Sequence, residues 1–277
     1  MAFEAPKLVV QCLRMKNLVL IKLGGSVITD KNRKFAVREG VIRRLAKEIR
    51  EAVKSFDGKV IIGHGAGSFA HIPARKYKTK EGLLNRDSVY GMAVTEDVAR
   101  KLNTIVMKIF LSINLPTFSF SPASFLISDA QVYSKSYLDP IKKALQIGVI
   151  PVVYGDVILD KTTGCTIFST EKILSILARE LQKDYKIKII YATNVEGVYD
   201  EKGEVIPEIS GKNFKLLKPA IAGAKGVDVT GGMIHKVEES LILAKKTGIR
   251  TQIVNGVKIG SLKNAILGKK VTGTQIF

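Results

Sequence analysis

Tryptophan is absent from this 277-residue sequence, and cysteine and histidine are scarce, with two and three copies. Two cysteines, Cys12 and Cys165, cannot build a disulfide framework or a four-ligand zinc site, and they suit a reducing, cytoplasmic setting. No run of eighteen uncharged apolar residues occurs, and Lys7, Arg14 and Lys16 interrupt the stretch where a signal peptide would need its apolar core. Membrane insertion is therefore not expected. Negative charge is also in short supply: 25 acidic against 44 basic side chains give a formal charge of +19, which attracts polyanions and phosphorylated metabolites alike. A nucleic-acid-binding role would need more than charge. The sequence has no basic helix of regularly placed base-reading residues, no zinc-finger spacing and no aromatic RNA-binding signature.

What is present is ordinary for a folded enzyme-sized domain, with 46% hydrophobic and 25% charged residues. Leu18-Val-Leu-Ile-Lys-Leu23 is a short apolar run ending in Gly24-Gly25-Ser26, as expected of a central strand buried on both faces. Val41, Ile42, Leu45, Ile49 and Val53 recur at helical spacing, and Val60-Ile-Ile62 then makes a second strand that runs into Gly63-His-Gly-Ala-Gly67. Alternation continues with a helix near 91–113, a strand near 117–120, a helix near 139–147 and the apolar run 149–154. Helices over 171–182 and 233–246 and strands over 188–192 and 251–254 follow. Asp160-Lys-Thr-Thr-Gly164 between two short apolar runs predicts a β-hairpin decorating the parallel sheet. The fold class is thus α/β. Met15-Lys16-Asn17 directly before the first strand makes the N-terminal residues a candidate extension, set at 1–16, ahead of one domain over 17–277.

At the carboxyl ends of parallel strands, helix N-termini and small residues let backbone N–H groups approach phosphate oxygens. Gly24-Gly25-Ser26 and Gly65-Ala66-Gly67-Ser68 occupy two such exits. Asp228-Val-Thr-Gly-Gly-Met233 enters a helix carrying Lys236 about one turn in, where an ammonium adds a point charge beside the helix dipole. Neither the Walker spacing nor a post-strand dinucleotide fingerprint occurs. Lys22, at the end of an apolar strand, must face an anion, either a phosphate or a core carboxylate. His64 is compatible with a hydrogen bond inside its loop or with substrate contact, and His235 reads as a surface helix residue.

Five segments, Ile21–Lys31, His64–His71, Pro151–Asp156, Ala192–Tyr199 and Asp228–Lys236, stand in the order found in the amino acid kinase superfamily, and they resemble its isopentenyl phosphate kinase branch from residue 17 to the C-terminal Thr272-Gly-Thr274. The resemblance implies a three-layer αβα sandwich with an open, mainly parallel sheet, forming a homodimer. It implies an acceptor lobe over about 17–170 and a nucleotide lobe over about 171–277. The implied reaction moves the γ-phosphoryl group of ATP, with Mg2+, onto isopentenyl phosphate. Other acceptors used by such kinases, a carboxylate, carbamate, nucleotide or phosphonate, are the competing expectation. By the same resemblance Lys22, Lys31, His71 and Lys236 act in transfer, and Gly24, Gly25, Ser26, Gly67, Asn194, Val195, Gly197, Tyr199, Gly231 and Gly232 hold nucleotide. Ala66, Gly67, His71, Gly155, Thr170 and Glu171 meet the acceptor. No protein-built metal site is expected, so the ion travels with the nucleotide phosphates. A phosphate monoester is already largely ionised near neutrality, so His71 binds and orients and no general base is needed. The sequence departs from the pattern at Ser169-Thr170-Glu171, where relatives carry Ser-Gly-Asp, at Asn194, usually aspartate, and at Ala70, usually glycine. Phe69, Ile72, Tyr77, Tyr90 and Met92 lie near the acceptor loop, with core packing expected for most of them.

Overall fold

The computed structural model describes residues 15–30, 33, 35–223 and 232–277. Lys31, Gly231, the Asp228–Thr230 stretch and nearly all of the proposed extension lie outside the described residues. The first strand, β1 (Lys16–Leu23), pairs in parallel with β2 (Gly58–His64) on one side and β9 (Tyr185–Thr193) on the other, so it is central, as its unbroken apolar run implies. Beyond β2 come β6 (Ile150–Tyr154) and the short edge strand β3 (Thr117–Ser119). Beyond β9 come β11 (Arg250–Asn255), β12 (Gly273–Ile276) and β10 (Glu208–Ile209), and only the β11–β12 pairing is antiparallel.

Side-chain alternation along β1 splits the interior in two. Leu18 and Leu20 enter one core with α5 (Asp139–Ile147), α6 (Thr170–Leu181), α7 (Phe214–Gly223) and α8 (Gly232–Thr247). Val19, Ile21 and Leu23 enter the opposite core with α2 (Glu39–Ser55), α4 (Arg86–Leu111) and α9 (Ser261–Ile266). The result is the expected three-layer αβα sandwich. In α2 the predicted Ile42, Leu45 and Ile49 are fully buried, joined by Ala46 and Ala52, while Val41 and Val53 sit half-buried at the edge of the stripe. Helix α4 starts on a capping box, Asn85 accepting from the Ser88 amide while Ser88 accepts from the Asn85 amide.

Two short helices beside the site carry no apolar periodicity and are not legible as helices in the sequence: α1 (Gly25–Ile28) and α3 (Gly67–Lys76), the latter with Pro73 inside it. The hairpin over 156–168 forms as expected, as β7 (Asp156–Asp160) and β8 (Gly164–Phe168). It does not decorate the large sheet alone, however. It belongs to a second, four-stranded sheet with β4 (Leu126–Asp129) and β5 (Val132–Ser136) in the order β5-β4-β7-β8. That extra hairpin is not legible in the sequence, because its turn, Ala130-Gln131, holds positive φ angles of 46° and 63° without a glycine to mark them. The buried Asp160 carboxylate stitches the sheet, accepting from Ser128 Oγ at 2.7 Å and from the amides of Gln131, Thr162 and Thr163 at 2.7, 2.9 and 2.7 Å.

Candidate active site

Because β1, β2, β6, β9 and β11 run parallel, their exits lie on one edge of the sheet: Gly24, Gly65, Gly155, Asn194 and Gly256. The first two exits are locked together. Gly24 N donates to Ala192 O at 2.9 Å and Gly65 N to Leu23 O at 3.0 Å. A methyl group on Gly25 would lie 2.6 Å from Gly67 N, and one on Gly67, whose φ is +52°, would lie 2.1 Å from Thr29 Oγ1. Thr29 Oγ1 in turn donates to Gly25 O at 2.8 Å and accepts from Ser68 N at 3.1 Å. The two glycine loops thus form one surface of closely spaced backbone atoms.

Lys22 follows Leu18 and Leu20 onto the face of α6 and α8, where it is 7% exposed. Its ammonium donates to Glu171, in the first turn of α6. Lys236 Nζ, from the first turns of α8, lies 3.8 Å from the same Glu171 Oε1 and donates to Gly232 O at 2.9 Å. Burial pushes the Glu171 carboxyl up, but the two ammonium charges outweigh it and hold the group below its ordinary value. Of the two anions proposed for Lys22, the described residues therefore supply the carboxylate. Among the described residues the two ammoniums thus converge on one carboxylate at the strand exits, a place where cations can stabilise a phosphate.

Helix α3 carries His71 at an exposed position, two residues before Pro73. His64 is different: its ring is fully buried, with Nε2 3.2 Å from Asn103 Oδ1 and Nδ1 3.3 Å from Gly65 O, and it stacks on Tyr154. Burial lowers its basicity, so it is a neutral, loop-holding histidine. His235 is exposed on α8, as expected. Thr170 directs its hydroxyl into the protein, donating to His64 O at 2.7 Å, so only its main chain remains for an acceptor. Gly155 N likewise donates to His64 O, at 3.2 Å. Core packing holds for Phe69, which is 4% exposed, and fails for Ile72 and Tyr90, at 40% and 67%.

On the other side of β1, Ser26 Oγ donates to Asn194 Oδ1 at 3.0 Å, linking the first loop to the Asn194–Tyr199 segment. The asparagine at this position therefore keeps a hydrogen-bonding task. Within that segment Val195 N donates to Thr193 Oγ1, Tyr199 Oη accepts from Glu196 N, and Gly197 packs tightly against Thr274. Three side chains around the lysine group were not singled out from the sequence: Tyr191, Ser175 and Ser240. The one signal was a tyrosine inside the otherwise aliphatic strand Ile189-Ile-Tyr-Ala192.

Sheet order, glycine exits and the paired lysines define a phosphotransferase of the amino acid kinase type, and the chain belongs to the amino acid kinase family, whose profile matches residues 17–255. Within that family it is 32% identical to the isopentenyl phosphate kinase of Methanothermobacter thermautotrophicus, across 94% of this chain and 98% of the relative. Identity to the isopentenyl phosphate kinase of Methanocaldococcus jannaschii is also 32%, over 94% of this chain and 98% of that one. A solved isopentenyl phosphate kinase structure superposes with a TM-score of 0.79 at 30% identity, covering 94% of this chain and 100% of the other.

Proposed function

We propose that the chain transfers the γ-phosphoryl group of ATP to isopentenyl phosphate, giving isopentenyl diphosphate and ADP. The observation that carries this reading is the Lys22–Glu171–Lys236 group at the sheet edge, in a chain similar over nearly its full length to isopentenyl phosphate kinases. Donor and acceptor are both phosphates, so the barrier is mainly positioning and mutual repulsion. Lys22 meets the transferring phosphoryl group, and Lys236 meets the nucleotide phosphates. Glu171 keeps the two ammoniums from repelling one another apart. The amides of Gly24, Gly25 and Ser26 complete the donor side with Asn194, Val195, Gly197, Tyr199 and Gly232. His71, Ala66, Gly67, Gly155 and the main chain of Thr170 form the acceptor side. Lys31 and Gly231 join the two sets by resemblance.

Among the described residues no three His, Cys, Asp or Glu side chains gather as a metal site, and Glu171 is occupied by two lysines. These residues fit Mg2+ carried on the ATP phosphates, where it would offset their charge. Cytoplasmic residence belongs to the same proposal, supported by the free, buried thiol of Cys165. So does a homodimer, supported by Leu111 and Phe118, which are exposed at the end of α4 and on the open edge strand β3. No helix among the described residues is long and apolar enough to cross a membrane.

The test is a panel of phosphorylated isoprenoids with carboxylate, carbamate, nucleotide and phosphonate acceptors, read by product mass. Isopentenyl diphosphate is the expected product, and a product from another acceptor class alone replaces the reading. In the same assay His71→Ala should raise KM for isopentenyl phosphate about tenfold or more, with KM for ATP within about twofold.

A further inference from the structure

Beneath the lysine group lies a polar layer that the reaction as described does not use. Tyr191 is the residue of β9 directly opposite Lys22 in the sheet, and Lys22 Nζ sits 5.9 Å from the centre of its ring, within range of a cation–π attraction. The side chain is fully buried, yet its hydroxyl makes no hydrogen bond of good geometry among the described residues, and neither does that of Ser175. Phenylalanine would fill the same space without burying a polar atom. The surroundings supply a use for that atom. Ser175 lies one helical turn after Glu171 on α6, and Ser240 one turn after Lys236 on α8. Burial raises the Tyr191 phenol above its ordinary value and the Glu171 charge adds to this, while the hydroxyls of Ser240 and Ser175 act in the opposite sense. Ser240 Oγ donates to Lys236 O at 2.7 Å, which leaves its lone pairs to accept from the phenol. Ser175 has a hydroxyl proton to give.

We propose that Tyr191 is a positioning residue of the transfer site, seating Lys22 on its ring, with its buried hydroxyl and those of Ser175 and Ser240 forming a polar layer beneath the lysine group. The inference rests on Lys22, Glu171 and Lys236 being the phosphate-facing group. Each of the three then stands one step above a member of the layer: Lys22 above the ring, Glu171 above Ser175, Lys236 above Ser240. When phosphates draw on the ammoniums, the layer keeps the ring under Lys22 and holds Lys22 and Lys236 in place about Glu171.

Tyr191→Phe keeps the ring and removes the hydroxyl, and Tyr191→Leu removes both. The assay uses ATP with isopentenyl phosphate, or with the panel acceptor that the wild-type protein converts if that is another. Tyr191→Phe should lower kcat about tenfold with both KM values within about twofold of wild type. Tyr191→Leu should lower kcat further. Ser240→Ala should resemble Tyr191→Phe, and the double variant should lose no more than the worse single one, because both changes disrupt the same layer. Melting temperatures recorded alongside separate positioning from loss of fold. Wild-type kinetics in Tyr191→Phe, a kcat loss that follows the unfolded fraction, or fully additive losses would each overturn the proposal while leaving the kinase reading intact. A wild-type protein that converts no panel acceptor overturns both.

Discussion

An ammonium at the end of an apolar strand is tolerable only beside an anion, and that much of Lys22 was readable from Leu18-Val-Leu-Ile-Lys-Leu23. Its partner was not. Glu171 lies 149 positions away, and no spacing rule joins the two; only the resemblance to a family that places a carboxylate there suggested it. Removing that carboxylate leaves the buried Lys22 ammonium without the anion it is bonded to, so Glu171→Gln should destabilise the protein at pH 7 by about 3–5 kcal/mol. The folded protein holds the Glu171 proton more weakly than the unfolded chain does, so the contribution is present above about pH 4.5 and is lost as pH falls below it. Denaturant titrations across pH 3–7 should show the gap between wild type and Glu171→Gln closing at the acid end. Asp156 carries the opposite sign. Burial raises its value to about 7, the amide of Val157 and the hydroxyl of Ser121 only partly offset this, and Glu96 adds repulsion. The folded state therefore binds this proton more tightly, and stability falls as pH rises from about 4 through 7. Asp156→Asn should melt higher than wild type at pH 8 and level with it only below about pH 4. An equal difference at both values would remove the assignment.

Among the elements, legibility followed amphipathic pattern. Helix α2 and strand β1 each show one period clearly over a whole element, and both formed where expected. Helices α1 and α3 are specified instead by backbone conformation at glycines, and Pro73 disguises the second, so the residues that shape the phosphate edge read only as loops. Gly67 shows what that specification demands. Gly67→Ala brings a methyl onto Thr29 at a φ that alanine resists, and should lower the melting temperature and raise KM for both substrates. Gly40→Ala in α2 meets nothing within 4 Å and should instead stabilise by about 0.5–1 kcal/mol. Comparing the two separates a glycine that is needed from one that is merely present.

At the scale of the molecule, the order of alternating strands and helices sufficed for the α/β class and the family resemblance supplied the layers, whereas the second sheet and the hydroxyl layer depend on contacts between residues distant in sequence. The surplus of 44 basic over 25 acidic side chains also acts at this scale. If it draws anionic substrates to the cleft, kcat/KM should fall with added salt more steeply than kcat, as the screening length shrinks from about 30 Å at 0.01 M to about 3 Å at 1 M. Parallel slopes would mean that the charge serves another purpose. The jammed glycines at the first two strand exits carry a mechanical corollary. Where not even a methyl fits between two loops, neither can slide past the other, and they behave like the bed of a vice. A change of grip, to suit a longer or bulkier acceptor, has to come from the jaws.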